Sequence, residues 1–225
     1  LHLSLLTLQI QLKKQMKADT LAWLLETDSP GVRFLALRDL LDRPNDDPEL
    51  AEARKAAHTY GPIGVILSNM DEAGYWSAPG PGYNPKYWST VWSVTLLAQL
   101  GASVFEDERI ARACIYIRDH TLTQGGQFTT SGTPSGTADC LQGNLCWALV
   151  ALGYEDPCLE TAFDWMARTV NGKGIAPVEE KHAEVRYYAG KCGPNFACGS
   201  NNKLPCAWGA VKVMQAFASW PGERR

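Results

Sequence analysis

No apolar run in the 225 residues reaches the roughly 18 needed to cross a bilayer, so a membrane span is excluded. Charge of one sign is also scarce. The net charge of −3 gives no basic surface for nucleic acid and no attraction to an anionic membrane. There is no G-x-S-x-G elbow, and no phosphate-cradling glycine loop of a known type. Gly125-Gly126 and Gly172-Lys173-Gly174 read as turns. Histidine is sparse, with four in the chain. His58 and His120 close amphipathic helices, where they suit the C-terminal dipole, and His182 stands in a charged loop. A Ser–His or Cys–His catalytic pair therefore has few ways to form.

A secretory leader is lacking too. In LHLSLLTLQIQLKKQMKADT the basic pair Lys13-Lys14 follows the apolar stretch instead of preceding it. Residues 1–15 read as a disordered leader or upstream reading frame, with Met16 the natural start; an amphipathic segment is the alternative. Residues 16–225 then read as one domain. Seven cysteines without a secretory signal suit reduced thiols and a cytoplasmic location.

What is present is helical pattern and aromatic residues. Ser29-Pro30 and Asp47-Pro48 each look like an N-cap followed by proline at the first helical position, ahead of GVRFLALRDLLDR and ELAEARKAAHTY. Gly61-Pro62 opens IGVILSNM in a similar way. No strand ladder is legible; GYWS, GQFTT and VRYY fall in loops. Eight tryptophans and eight tyrosines are many for this length, and such rings either fill cores or line concave sites.

The second half repeats. GYWSAPGPGYNPKYWSTVWSVTLLAQLGA is followed by EDERIARACIYIRDHTLT, and GQFTTSGTPSGTADCLQGNLCWALVALGY by EDPCLETAFDWMARTV. VRYYAGKCGPNFACGSNNKLPCAWGAVKVMQAFASW opens a third unit. Gly101 and Gly153 stand 52 residues apart, as do Trp76 and Phe128. A period near 50 with two helices per unit means stacked helical hairpins. The first helix of each unit is apolar nearly all round and belongs inside. The second carries charge on one face and belongs outside. The pattern predicts an all-α array of inner and outer helices.

These units resemble the repeat of the prenyltransferase and squalene-cyclase families: an aromatic turn, an inner helix of the type T-x-W-x-L-x-A-L-x-x-L-G, then an acidic residue opening the outer helix. The likeness covers about residues 72–220. It extends to bacterial repeat proteins in which a Lys-Cys-x5-Cys element, here Lys191-Cys192 to Cys198, precedes a late inner helix. It implies an α/α toroid, or a partial or truncated one, since Arg225 follows the third inner helix. It further implies a cleft for a hydrophobic, isoprenoid- or lipid-like molecule. Trp76, Tyr87, Trp88, Trp92 and Tyr187 are the expected substrate-binding rings, with Tyr83 and Tyr188 in the same segments. Trp147 and Trp208 are expected in the core. The D-x-D-D motif of alkene-protonating cyclases is absent, which argues against cyclisation by direct protonation.

Asp139-Cys140 opens the second inner helix and resembles the Asp/Cys zinc ligands of protein prenyltransferases. The spacing departs from D-x-C, and the late helix opens with Pro205-Cys206 and no histidine, so that triad does not carry over intact. Asp139, Cys140 and Asn144 are the catalytic candidates. Cys140, Cys192, Cys198 and Cys206 all precede or open inner helices, and four thiolates could hold Zn²⁺. Their C-x5-C-x7-C spacing is looser than a zinc knuckle, and a disulfide, a reactive thiol or plain packing remain open. Cys114, Cys146 and Cys158 read as core or incidental. Two other functions compete with the ligand-handling enzyme. One is an ester hydrolase using Ser or Cys, with Ser200-Asn201-Asn202-Lys203 a weak S-x-x-K match. The other is a non-catalytic binding module completed as a homo-oligomer by a second copy.

Overall fold

A computed structural model describes residues 18–183, 185–188 and 190–222. The leader expected over residues 1–15 lies outside them. The described chain is mostly helical, as the pattern predicts, and its only named strands are two residues long. Packing divides it into two compact units, one made of residues up to Asn69 plus Leu100–Ala102, the other of Met70–Gln99 and the chain from Ser103 onward.

The first unit holds α1 (Ala18–Leu24), α2 (Pro30–Leu35), α3 (Pro48–Thr59) and α4 (Pro62–Ser68). Asp47 caps α3 as expected, its carboxylate accepting from the N–H groups of Glu49 and Leu50 at 2.9 and 3.0 Å. Ser29 precedes α2 but makes no side-chain cap bond. After α2 the chain widens into a π turn over Ala36–Leu40, with Leu41 N–H reaching back to Ala36 O. Arg33 ties α2 to Leu25 O and to Glu49 across 2.8 and 2.6 Å.

The second unit carries the repeat: inner helices α5 (Thr90–Gln99), α7 (Asp139–Ala151) and α9 (Ala207–Ser219), and outer helices α6 (Glu108–Thr121) and α8 (Cys158–Asn171). Helix α7 packs against α5 on one side, α9 on the other and α8 behind. Acidic residues open the outer helices, since Asp107 and Asp156 accept from Arg109 and Cys158 N–H, each at 2.9 Å. Gly101 and Gly153 follow the inner helices with φ of +77° and +78°, a left-handed exit that costs glycine little.

The 52-residue period also has a buried brace at each turn. Trp76 N–H donates to Thr90 Oγ1 at 3.1 Å, and Phe128 N–H donates to Gln142 Oε1 at 2.7 Å. Thr90 and Gln142 are themselves 52 residues apart. In both units a polar side chain in the first turn of the inner helix pairs the N–H of the aromatic turn, which would otherwise be buried without a partner. Gln142 adds bonds from Nε2 to Gly126 O and Ala162 O, so one side chain joins turn, inner helix and outer helix.

Helices α7 and α9 meet most closely at Gly143. A Cβ built there would stand 2.5 Å from the carbonyl carbon of Lys212 and 2.6 Å from Val213 N. Backbone on backbone leaves no side chain to swing aside. Gly143→Ala should therefore destabilise the second unit by about 2 kcal/mol. Urea unfolding is the check, and an unchanged midpoint would contradict this close approach.

Candidate functional site

The first turn of α7 is where the chain segments converge. Ala138 O accepts the N–H groups of Leu141 and Gln142 at 3.1 and 3.0 Å, starting the helix without a side-chain cap. Asp139 N–H donates to Lys191 O at 3.2 Å, and Gly193 N–H returns a bond to the Asp139 carboxylate. This reciprocal pair fastens the Lys191–Gly193 segment to the helix start. Beyond it, β1 (Ala197–Cys198) and β2 (Leu204–Pro205) form an antiparallel pair with Cys198 opposite Leu204. Cys206 N–H extends the ladder to Phe196 O at 3.0 Å. Because side chains alternate along a strand, Cys198 and Cys206 share one face as diagonal neighbours, about 7–8 Å apart.

That face, the α7 start and the Tyr83–Lys86 loop enclose a cavity of 490 Å³. Asp139, Cys140, Cys198 and Cys206 all line it, with Tyr83 and Trp208 as its rings. Gly209 lets α9 come down close: a Cβ there would be 3.4 Å from Asp139 Cβ and 3.9 Å from both Cys140 N and Cys206 Cβ.

Asp139 is 6% exposed, and its Oδ2 has no hydrogen-bond partner among the described residues. Burial in this poorly polar setting pushes its pKa up to about 7, with the Gly193 N–H pulling partly back. A carboxyl of this kind is largely protonated below neutrality and there presents an O–H. The Cys140 thiol is also raised, first by burial and then by Cys206, while Leu141 N–H acts the other way. Cys140 is therefore a thiol and not a ready thiolate. No histidine lines the cavity, and His182 is exposed. His58 and His120 each bond a backbone carbonyl one helical turn back, as their positions suggest.

The other expected residues are dispersed. Trp76 is buried in the core. Tyr187 is buried too, its hydroxyl donating to Thr169 O at 2.9 Å. Tyr87 and Trp88 are mostly exposed, and Trp92 packs between Tyr83 and Tyr87 with centroids at 5.3 and 4.9 Å. Tyr188 lies on another surface depression beside Arg168. Trp208, expected in the core, is 62% exposed at the cavity mouth, with Lys212 Nζ 5.0 Å over its ring. It lies on the side of α9 that α7 does not cover. Asn144 does not line the cavity. Together with Cys140 and Trp147 it forms the partly exposed edge of a helix otherwise buried almost throughout, and its Oδ1 has no partner among the described residues.

Of the four proposed thiolate ligands, Cys192 sits instead with Trp165, Ile175 and Tyr187 in the core. Among the described residues no group of three or more His, Cys, Asp or Glu side chains stands where it could hold a metal ion. Cys114 and Cys146 are fully buried, as expected of core thiols. Thr130 is not singled out in the sequence, and Lys191 and Ser200 enter only through the Lys-Cys-x5-Cys and S-x-x-K patterns. All three line the cavity, brought there by loops whose course no periodicity encodes.

The raised Asp139 pKa has a stability consequence of definite sign. An unfolded Asp releases its proton near pH 4, whereas the folded one holds it to about 7. Between those values the folded state binds more protons, so stability should fall as pH rises from about 4 to 7 and then level off. Asp139→Asn should remove that decline, measured by urea unfolding across the pH series. A variant with the wild-type slope would refute the assignment.

Set against protein-family models, curated proteins and solved structures, the chain matches none.

Proposed function

We propose that this chain is a helical-repeat protein of the α/α-toroid type that binds a hydrophobic small molecule, terpenoid- or lipid-like, in the cavity at the start of α7. The observation that carries the reading is the Asp139 carboxyl. It offers a buried oxygen with no partner among the described residues, in the wall of a 490 Å³ cavity whose other lining includes two rings and three thiols. Unpaired polar atoms are rare in protein interiors, because each costs about 1–3 kcal/mol. A ligand hydroxyl or carbonyl oxygen would supply the partner. The cavity volume lies within the usual range for small-molecule sites, and a few polar groups among apolar walls are the usual composition of such sites. Held neutral, Asp139 serves as a hydrogen-bond donor to ligand oxygen and, in an enzymatic setting, as a general acid.

Decanol is a simple probe. At saturation it should protect Cys140 and Cys206 from alkylation by iodoacetamide, read by peptide mass spectrometry, and Trp208→Ala should weaken its binding several-fold. Equal labelling of both thiols with and without decanol would sink the reading.

A module completed by a second copy is favoured by a different feature. Trp208, Val211 and Met214 form an apolar row on α9, 62, 59 and 68% exposed. Light scattering tests it: concentration-dependent dimers lost in Met214→Glu support it, and a monomer at every concentration rules it out.

A further inference from the structure

The 490 Å³ cavity does not end at the thiols. A second cavity of 410 Å³ adjoins it, and Thr130, Lys191 and Ser200 line both. The two differ in chemistry. The first holds Tyr83, Trp208, Cys140 and Cys206. The second is walled by Ser135, Gly136, Gly190 and Gly199 together with the three shared residues. A cleft that is greasy at one end and polar at the other suits a molecule built the same way.

The charge count narrows the class. The cations of the two walls are Lys86 and Lys191, with no arginine among them. Lys86 lies over the Tyr83 ring, 5.6 Å from its centroid, in the first cavity only. Lys191 stands at the junction. Its carbonyl is held by Asp139 N–H, so its backbone is anchored, while its ammonium has no carboxylate partner among the described residues. Ser200 lines the same two cavities, its hydroxyl making no side-chain hydrogen bond among the described residues. Among the described residues the one acid lining either wall is Asp139, and it lines the first cavity and not the second. At the junction, the one ammonium of Lys191 and the Ser200 hydroxyl match a single negative charge with two acceptor oxygens. A diphosphate would bring more negative charge than this wall can balance.

We propose that the cleft takes an amphiphile bearing one carboxylate, its head at Lys191 and Ser200 and its apolar body among Tyr83, Cys140, Cys206 and Trp208. This rests on the reading that the first cavity holds an apolar molecule, and it adds the class of head group and the residue that selects it.

The test compares decanoate with decanol by isothermal titration at about pH 6.5, where a free aliphatic carboxylic acid is ionised. The wild-type chain should bind decanoate about fivefold more tightly, the gain expected of one partly exposed ion pair. Lys191→Gln should bring decanoate down to the affinity of decanol, and Lys191→Arg should keep the preference. Equal wild-type affinities, or a preference that survives in Lys191→Gln, would overturn the head-group assignment and leave the apolar reading standing. Failure of the wild-type chain to bind either probe would overturn both.

Discussion

The contact between α7 and α9 across Gly143 governs what surrounds it in the second unit. Two backbones approach closely there because no side chain intervenes, and the crossing brings Gly209 down beside Asp139. From that point Cys206 and Trp208 are carried to the start of α7. The same crossing leaves α7 open along one edge, the row of Cys140, Asn144 and Trp147. Packing at glycine thus both builds the site and limits its access.

Around this crossing the repeat is held by hydrogen bonds as much as by apolar burial. Thr90 and Gln142 do the same work in successive units with different side chains. The requirement common to both is that a buried N–H must be paired, and either a hydroxyl or an amide oxygen meets it. Asp139 obeys a related rule with a different outcome. Burial takes water from its carboxyl and leaves Oδ2 without a partner among the described residues, so the proton is held up to about pH 7 in spite of the Gly193 N–H.

The helical class was legible in the chain from its periodicity, and the spacing of Trp76 and Phe128 marked the turns. The convergence of Asp139, Cys140, Cys198 and Cys206 followed from the same idea, since each opens or precedes an inner helix. The idea did not extend to Cys192. Burial beside Trp165 and Tyr187 took it away from its neighbours six and fourteen residues on. Nor could aromatic content alone say which rings face a ligand: Trp76 fills the core, whereas Trp208 stands at the cavity mouth. A ring buries well in either place, and the decision belongs to the neighbouring helix.

Taken alone, the order of residues determined helical class, the repeat and its period, and the acidic caps on the outer helices, because these depend on local propensity and on side-chain spacing along one element. Tertiary structure decided the rest. It chose which cysteines share a cavity, which carboxyl loses its water and so holds its proton longer, and which lysine stands where two cavities join. Those properties arise from distances between segments far apart in the chain, and desolvation has no counterpart in a sequence.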